Sequence, residues 1–491
     1  MNHVPLRMAT ASEPVTLRAN TVGTFGLLFQ AMGQEAPIAI FAGSITGAAA
    51  YALGATPLAF ILGMLASLLA ANTIYQYAKK VANAGGYYAY VADGMGSYSA
   101  AFTAYMYIIY QVLNIAFIIL IYLWTFSLSI NVILSTNLPG WAGIPFVALE
   151  SLAVFITVYL GLRPSVRVLT VFGLVESAVV IAFSTVIIAH APVNSLAPFT
   201  FTVPPGAGGV FLGFVTGSYF AYAGYGSIVP LGEEARAPKK TIGKAVVILL
   251  LIIGAIYIYA AYAQVVGWGI PNMASFAGSG LPGAFLAQQD IGLWAAALVI
   301  ILYNLVMFTP LVAMATGLSR TAYAMGRDGL LPKAFAHLHP RHRTPTTALW
   351  IFALAASVLA ILVATVFDLL YGFVNGVFDA WLILLTASTL ATLTIHILAN
   401  TALTASLRKT GVRASAIFTH VVVPLLSSAV IIAVIYYAVQ SGIAYPILLG
   451  PLGFVGVSLA IILIIAARRK VVRNLRLAPG LRETPLPASE P

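Results

Sequence analysis

Between Asp93 and Glu150, and again between Glu176 and Glu233, the chain contains no lysine, arginine, aspartate or glutamate. Either run far exceeds the roughly 20 apolar residues that one membrane-crossing helix requires. Only 8% of the 491 residues are charged and 61% are hydrophobic, whereas soluble domains carry charge on about a quarter of theirs. So few charges could not keep a globular surface of this size wet. Within a bilayer the backbone must satisfy itself, which leaves helices or closed barrels. Barrel strands alternate apolar and polar residues in short segments; these runs do not. The expected class is therefore all-α, a polytopic helical bundle. There is no cysteine, which rules out disulfides and thiolate metal sites. Residues 1–19 carry Arg7 and Arg18 without a short apolar core, so no signal peptide is expected.

Glycine, proline and charge clusters divide the chain into twelve expected spans: about 20–48, 55–78, 97–130, 143–162, 167–190, 210–232, 245–268, 290–318, 346–367, 376–399, 417–439 and 446–467. The side on which the lysines and arginines fall, a rule not used to set these limits, tests them. Cytoplasmic loops are enriched in Lys and Arg. With the N-terminus inside, the inner segments hold all 24 basic residues, and the outer loops hold none. A wrong count would scatter them over both sides. Both ends are thus expected in the cytoplasm, with residues 1–19 and the basic tail 468–491 flanking a transmembrane domain, 20–467. The net charge of +11 then records topology in the cell membrane, and no nucleic-acid partner is expected.

Two spans carry matching interruptions. Span 1 contains Gly33-Gln34-Glu35-Ala36-Pro37, and span 6 contains Gly226-Ser227-Ile228-Val229-Pro230 just after Ala223-Gly224. Proline removes a backbone donor and clashes with the preceding turn, while glycine lets the chain leave helical geometry. Such segments at corresponding places in two halves point to a midplane binding site in a transporter, where half-helix ends can hold a carboxylate and an ammonium. The plainer reading is that Gly and Pro only permit close helix packing. The five-span offset between the two favours an inverted repeat, about 20–190 and 210–399, followed by two extra helices at about 417–467.

At these residues the chain resembles the amino acid–polyamine–organocation (APC) superfamily of permeases. The match is carried by Tyr219-Phe220-Ala221-Tyr222-Ala223-Gly224-Tyr225-Gly226 running into Gly232-Glu233-Glu234-Ala235-Arg236-Ala237-Pro238-Lys239-Lys240-Thr241-Ile242. It is carried also by Ser319-Arg320-Thr321-Ala322-Tyr323-Ala324-Met325-Gly326-Arg327-Asp328-Gly329-Leu330-Leu331-Pro332 and by Ala84-Gly85-Gly86-Tyr87-Tyr88-Ala89-Tyr90 before span 3. The resemblance implies a LeuT-like fold of two inverted five-helix repeats plus two helices, working by alternating access. By position it implies a substrate site of Gly33, Gln34, Glu35 and Ala36 in span 1 with Phe220, Ala221, Tyr222, Ala223 and Gly224 in span 6. Phe220 resembles the aromatic that lids the substrate. Many members have a small, glycine-rich break in span 1, where this chain has Gln34-Glu35. Glu233 and Glu234 are read as solvated loop charges locking spans 6 and 7.

Glu35, Glu150, Glu176 and Asp379 fall inside spans. A carboxylate at mid-bilayer costs roughly 2.5–3.5 kcal/mol on insertion scales, so such groups usually face the bundle interior and function there. Glu35 and Glu176 lie near mid-depth, Glu150 and Asp379 nearer the outer ends; His396 and His420 are placed near the inner interface. In proton-coupled members of the family that this chain resembles, span 5 carries a lysine where sodium-coupled members bind their ion, and matching Gly161-Leu162-Arg163 and Arg167 to that helix puts Glu176 in its place. Glu35 and Glu176 are thus the candidate ion-coupling pair. The expectation is a secondary active transporter of amino acids or related amines, driven by H+, with Na+ open as the coupling ion. A polyamine permease and a non-transporting sensor on the same scaffold stand as alternatives. No catalytic constellation, metal cluster or cofactor motif stands out.

Overall fold

A computed structural model describes residues 15–134, 136, 139–410, 414–441 and 445–475. Arg7, Arg413, Arg476 and Arg482, which the charge pattern assigned to the inner side, lie outside the described residues, as do most of the two terminal segments. Among the described residues there is no strand, only an isolated bridge between Val22 and Ala235.

Among the described residues, ten helical stretches are long and apolar enough to cross a membrane. The first, Thr24–Ala78, spans 55 residues; at 1.5 Å per residue that is about 80 Å, far more than one crossing of about 30 Å. It divides at Leu53, whose φ of 44° begins the short turn Leu53–Ala55, giving span 1 (24–52) and span 2 (Thr56–Ala78). A further segment, 206–231, is helical but of mixed type. Counting both gives twelve: span 3 is Ser97–Leu134, span 4 Ile144–Tyr159, span 5 Leu162–His190 and span 6 residues 206–231. Span 7 is Pro238–Trp268, span 8 Leu293–Val306 continued by Phe308–Arg327, span 9 Thr346–Tyr371 and span 10 Phe373–Thr410. Spans 11 and 12 are Val423–Ser441, preceded by a π turn at Phe418–Val422, and Leu449–Ala467.

The distribution of polarity is inverted relative to a soluble protein. Leu152, Leu174, Leu354, Ile361, Leu370 and Leu463 are exposed, while Gln30, Gln111, Gln264, Asn400 and Arg320 are buried. With lipid outside, burying Leu gains little, so packing and internal hydrogen bonds hold the helices together. Small residues let backbones meet: a Cβ on Gly217 would lie 2.3 Å from Ala48 N, and one on Gly254 2.2 Å from Met64 Sδ. Polar side chains join what is packed. Thr73 of span 2 donates to Asn400 Oδ1 of span 10 at 2.5 Å, and Asn400 donates to Ser427 and Ser428 of span 11.

Three expectations are corrected. Span 8 does not end near 318; Arg320 and Arg327 are helical, and Arg320 is 1% exposed. Glu233 and Glu234 are not solvated loop charges joining spans 6 and 7. Both are buried and reach span 8: Glu233 takes two bonds from Arg327 (2.9 and 3.0 Å), and Glu234 two from Arg320 (2.9 and 3.5 Å). His396 is not interfacial, because span 10 runs on to Thr410 and leaves it inside the bundle.

Candidate functional site

Span 1 stops being a helix at Glu35. Ala36 takes a left-handed conformation, φ 45° and ψ 71°, and Pro37 opens the next helical piece. A left-handed turn is unfavourable for a residue with a Cβ, so surrounding contacts must hold it. They come from two sides. The Tyr257 hydroxyl of span 7 donates to Glu35 O at 2.7 Å. The Glu176 carboxylate of span 5 accepts the Ile38 N–H at 3.3 Å, one of the amides that a helix start leaves without an internal partner. Below the break, a π turn covers Ile40–Ser44, and Gln264 Nε2 donates to Phe41 O at 2.5 Å.

Span 6 departs from α geometry in another way. Instead of parting at Gly226–Pro230 as the spacing predicted, it changes type: α over Gly206–Gly213, π over Phe214–Ser218, then a 3₁₀ helix over Phe220–Leu231 with Pro230 inside it. Gly226 is a packing position; a Cβ there would lie 2.3 Å from the Tyr87 hydroxyl.

Where these two segments meet lies a cavity of about 560 Å³. Gln34, Glu35 and Ala36 of span 1 and Ala223, Gly224 and Tyr225 of span 6 line its floor. Glu35 is 5% exposed, the Gly224 and Tyr225 amides lie beside its carboxyl, and its Oε1 has no hydrogen-bond partner among the described residues. Gln34 donates through Nε2 to the Tyr110 hydroxyl at 3.4 Å, and its Oε1 is likewise unpartnered. Two buried acceptors therefore converge on one floor. Apolar walls come from Phe117, Ile118, Met307 and Met314, and Phe220 and Ala221 complete the span 6 side.

Of the nine residues expected to bind substrate, seven line the cavity: Gln34, Glu35, Ala36, Phe220, Ala221, Ala223 and Gly224. Gly33 does not; it packs against Leu169 of span 5. Tyr222 turns away, and its hydroxyl donates to Phe60 O at 3.0 Å. Glu176 is outside the cavity, 1% exposed at the start of the second half of span 1. Tyr257 of span 7 holds the break from the other side, its hydroxyl bonding Glu35 O.

Span 10 supplies a polar edge that sequence reasoning did not bring to the site: Ser388, Thr392 and His396, four residues apart and so on one helix face. That spacing was the available signal. The His396 ring bonds Thr392 O through Nδ1 at 2.8 Å and meets the Tyr87 hydroxyl through Nε2 at 3.3 Å. The Tyr225 ring also packs on it, with centroids 5.8 Å apart.

The cavity extends to Trp124, Phe378, Ser279 and Gly280, away from the end where basic residues gather. That basic end is laced shut. Besides the two ion pairs of spans 6 and 8, Tyr88 donates to Asp328 at 2.8 Å and Glu233 accepts the Ala84 N–H at 3.0 Å. Arg343 donates to Thr16 O, and Arg468 to Gly329 O and Leu330 O. The molecule is open at one end and closed at the other.

A family model for amino acid permeases matches residues 26–477. A branched-chain amino acid permease of Bacillus subtilis is 28% identical over 368 residues, 72% of this chain and 77% of its own length. A methylthioribose transporter of the same organism is 28% identical over 371 residues, 72% and 78% of the two chains. A cationic amino acid transporter of Arabidopsis thaliana is 26% identical over 316 residues, covering 62% and 53%. With nearly its whole length matched and its helices arranged around a central polar-floored cavity, the chain belongs to the amino acid permease family.

Proposed function

We propose that the protein is a secondary active transporter of amino acids or related amines, working by alternating access and coupled to protons. The observation that carries this is the pair of unpartnered acceptors, Glu35 Oε1 and Gln34 Oε1, on the cavity floor. A buried acceptor without a donor costs about 1–3 kcal/mol, and a substrate ammonium supplies N–H donors to both. The apolar walls suit an aliphatic side chain, in keeping with the branched-chain amino acid permease among the relatives. The carboxylate itself favours a second reading, a cationic substrate such as a polyamine, and a cationic amino acid transporter is also among the relatives.

The interruptions of α geometry within 24–52 and 206–231 support two inverted repeats, about 20–190 and 210–399, with spans 11 and 12 as additions. The closed basic end is the cytoplasmic one on this reading, in the cell membrane. Coupling is assigned to Glu176. Charged, it opposes the positive pole at the start of the second half of span 1; protonated, it accepts the Ile38 N–H more weakly. Proton uptake and release there would shift the balance between two arrangements of span 1.

Uptake into proteoliposomes tests both parts. A panel of branched-chain amino acids, lysine and putrescine is offered under a pH gradient or a sodium gradient alone. Aliphatic amino acids should accumulate under the pH gradient. Glu176→Gln should abolish that accumulation while exchange of substrate for substrate persists. A Glu176→Gln protein that still concentrates substrate under a pH gradient would sink the coupling mechanism, and uptake needing sodium at constant pH would assign the site to that ion.

A further inference from the structure

Lys79 follows the last residue of span 2, and Lys239, Lys240 and Lys244 stand in the first two turns of span 7. The two helices pack against each other, and Gly243 sets how closely. A Cβ there would lie 2.7 Å from the Tyr75 ring and 3.0 Å from Tyr75 Cα. Beside this contact runs a groove of about 840 Å³, lined by all four lysines with Asn72 and Tyr75.

The charges are set in a costly way. Span 7 has no acidic residue in its first turn and no side-chain cap, so two lysines stand on the positive pole of the helix dipole instead of opposing it. Lys240 and Lys244 are one turn apart, where like charges repel. Among the described residues, no acidic residue lines the groove. Lys79 is held over the Tyr75 ring at 4.1 Å and donates to Gln76 Oε1 at 3.2 Å, which fixes its ammonium at the groove. The rule that basic residues collect on the inner side accounts for lysines at this end, but not for their convergence on one groove.

Toward the middle of the bundle the same groove becomes apolar, with Leu68, Val247 and Ile248 as its lining. Leu68 lies eleven residues before Lys79, about 16 Å along the helix. The neighbouring Leu65 and Leu251 are each 49% exposed, so this side faces the lipid. A cationic rim over an apolar channel matches an anionic phospholipid, phosphate above and acyl chain below. Basic pockets between spans are known to hold such headgroups. We infer that the groove between spans 2 and 7 is a binding site for an anionic phospholipid, its headgroup held by Lys79, Lys239, Lys240 and Lys244.

The test is native mass spectrometry of the purified full-length protein. It is offered an equimolar mixture of phosphatidylglycerol and phosphatidylcholine with identical acyl chains. The wild type should retain phosphatidylglycerol preferentially. The variant K79Q/K239Q/K240Q/K244Q should retain several hundredfold less, about fivefold for each lysine removed. A control, R163Q/R167Q/K333Q/R341Q, removes the same charge elsewhere at that end and should behave as wild type. If the quadruple variant does not elute as a folded monodisperse protein, K240Q and K244Q are measured singly, each expected to lose about fivefold. No preference in the wild type, no loss in the groove variants, or equal loss in the control would overturn the site. Displacement of the lipid by millimolar inorganic phosphate would reassign it to a free anion and overturn the lipid reading.

Discussion

Gly224 is the position where the cavity floor tolerates least. A Cβ there would lie 2.9 Å from Gln34 Cβ and 3.1 Å from the Glu35 carboxyl carbon, so any side chain pushes span 1 away from span 6 at the unpartnered acceptors. Gly224→Leu should abolish substrate binding while the protein remains folded and inserted; calorimetry showing an unchanged Kd would place the pocket elsewhere. At this scale the sequence was informative about depth and poor about direction. The Gly/Pro spacing located Gln34, Glu35 and Ala36, because those residue types dictate where a helix can stop. It could not show that Gly33 faces Leu169 or that Tyr222 reaches for Phe60 O, since side-chain direction around a distorted helix depends on the distortion itself. Glu176 was legible as a buried carboxylate, but its bond to the Ile38 N–H depends on a break in another helix. His396 was missed because span 10 was ended near 399; the helix runs on to Thr410, which moves the ring about three turns inward.

Helix ends were the least legible elements, and charge was the reason. Arg320 and Arg327 read as loop residues because an isolated guanidinium does not belong in an apolar span. Span 8 continues through them because Glu234 and Glu233 arrive from span 6 to neutralise them, a pairing across more than eighty residues that no local window contains. Removing one partner from a buried pair strands the other, at a cost of about 3–5 kcal/mol, whereas replacing both with apolar residues is often close to neutral. Arg320→Met should therefore lower the Tm of the detergent-solubilised protein strongly, and Arg320→Met with Glu234→Leu should recover most of the loss. A single variant that melts with the wild type would show that the pair does not hold this end. The short helices Tyr87–Met95, Met273–Ala277 and Pro282–Asp290 were not foreseen either. They are too short to leave a periodic signature.

The number of spans was legible because two independent signals, long apolar runs and one-sided basic charge, demanded the same answer. The orientation that follows can be checked directly, since the chain has no cysteine of its own. Single cysteines at the exposed positions Ala334 and Gly278 should react differently with an impermeant maleimide added to intact cells: Gly278→Cys labels, Ala334→Cys does not. The reverse pattern would invert the molecule in the membrane. The cavity also has a pharmacological consequence. At about 560 Å³ it falls in the range that accommodates drug-sized ligands, with more room than one amino acid requires. On the alternating-access mechanism proposed above, selectivity for cargo would come from the closing of the walls, not from their resting shape. A compound with an amino acid head for the floor and a bulky apolar tail for the vestibule could enter, bind and never let the walls meet, a blocker that competes with cargo and is not carried.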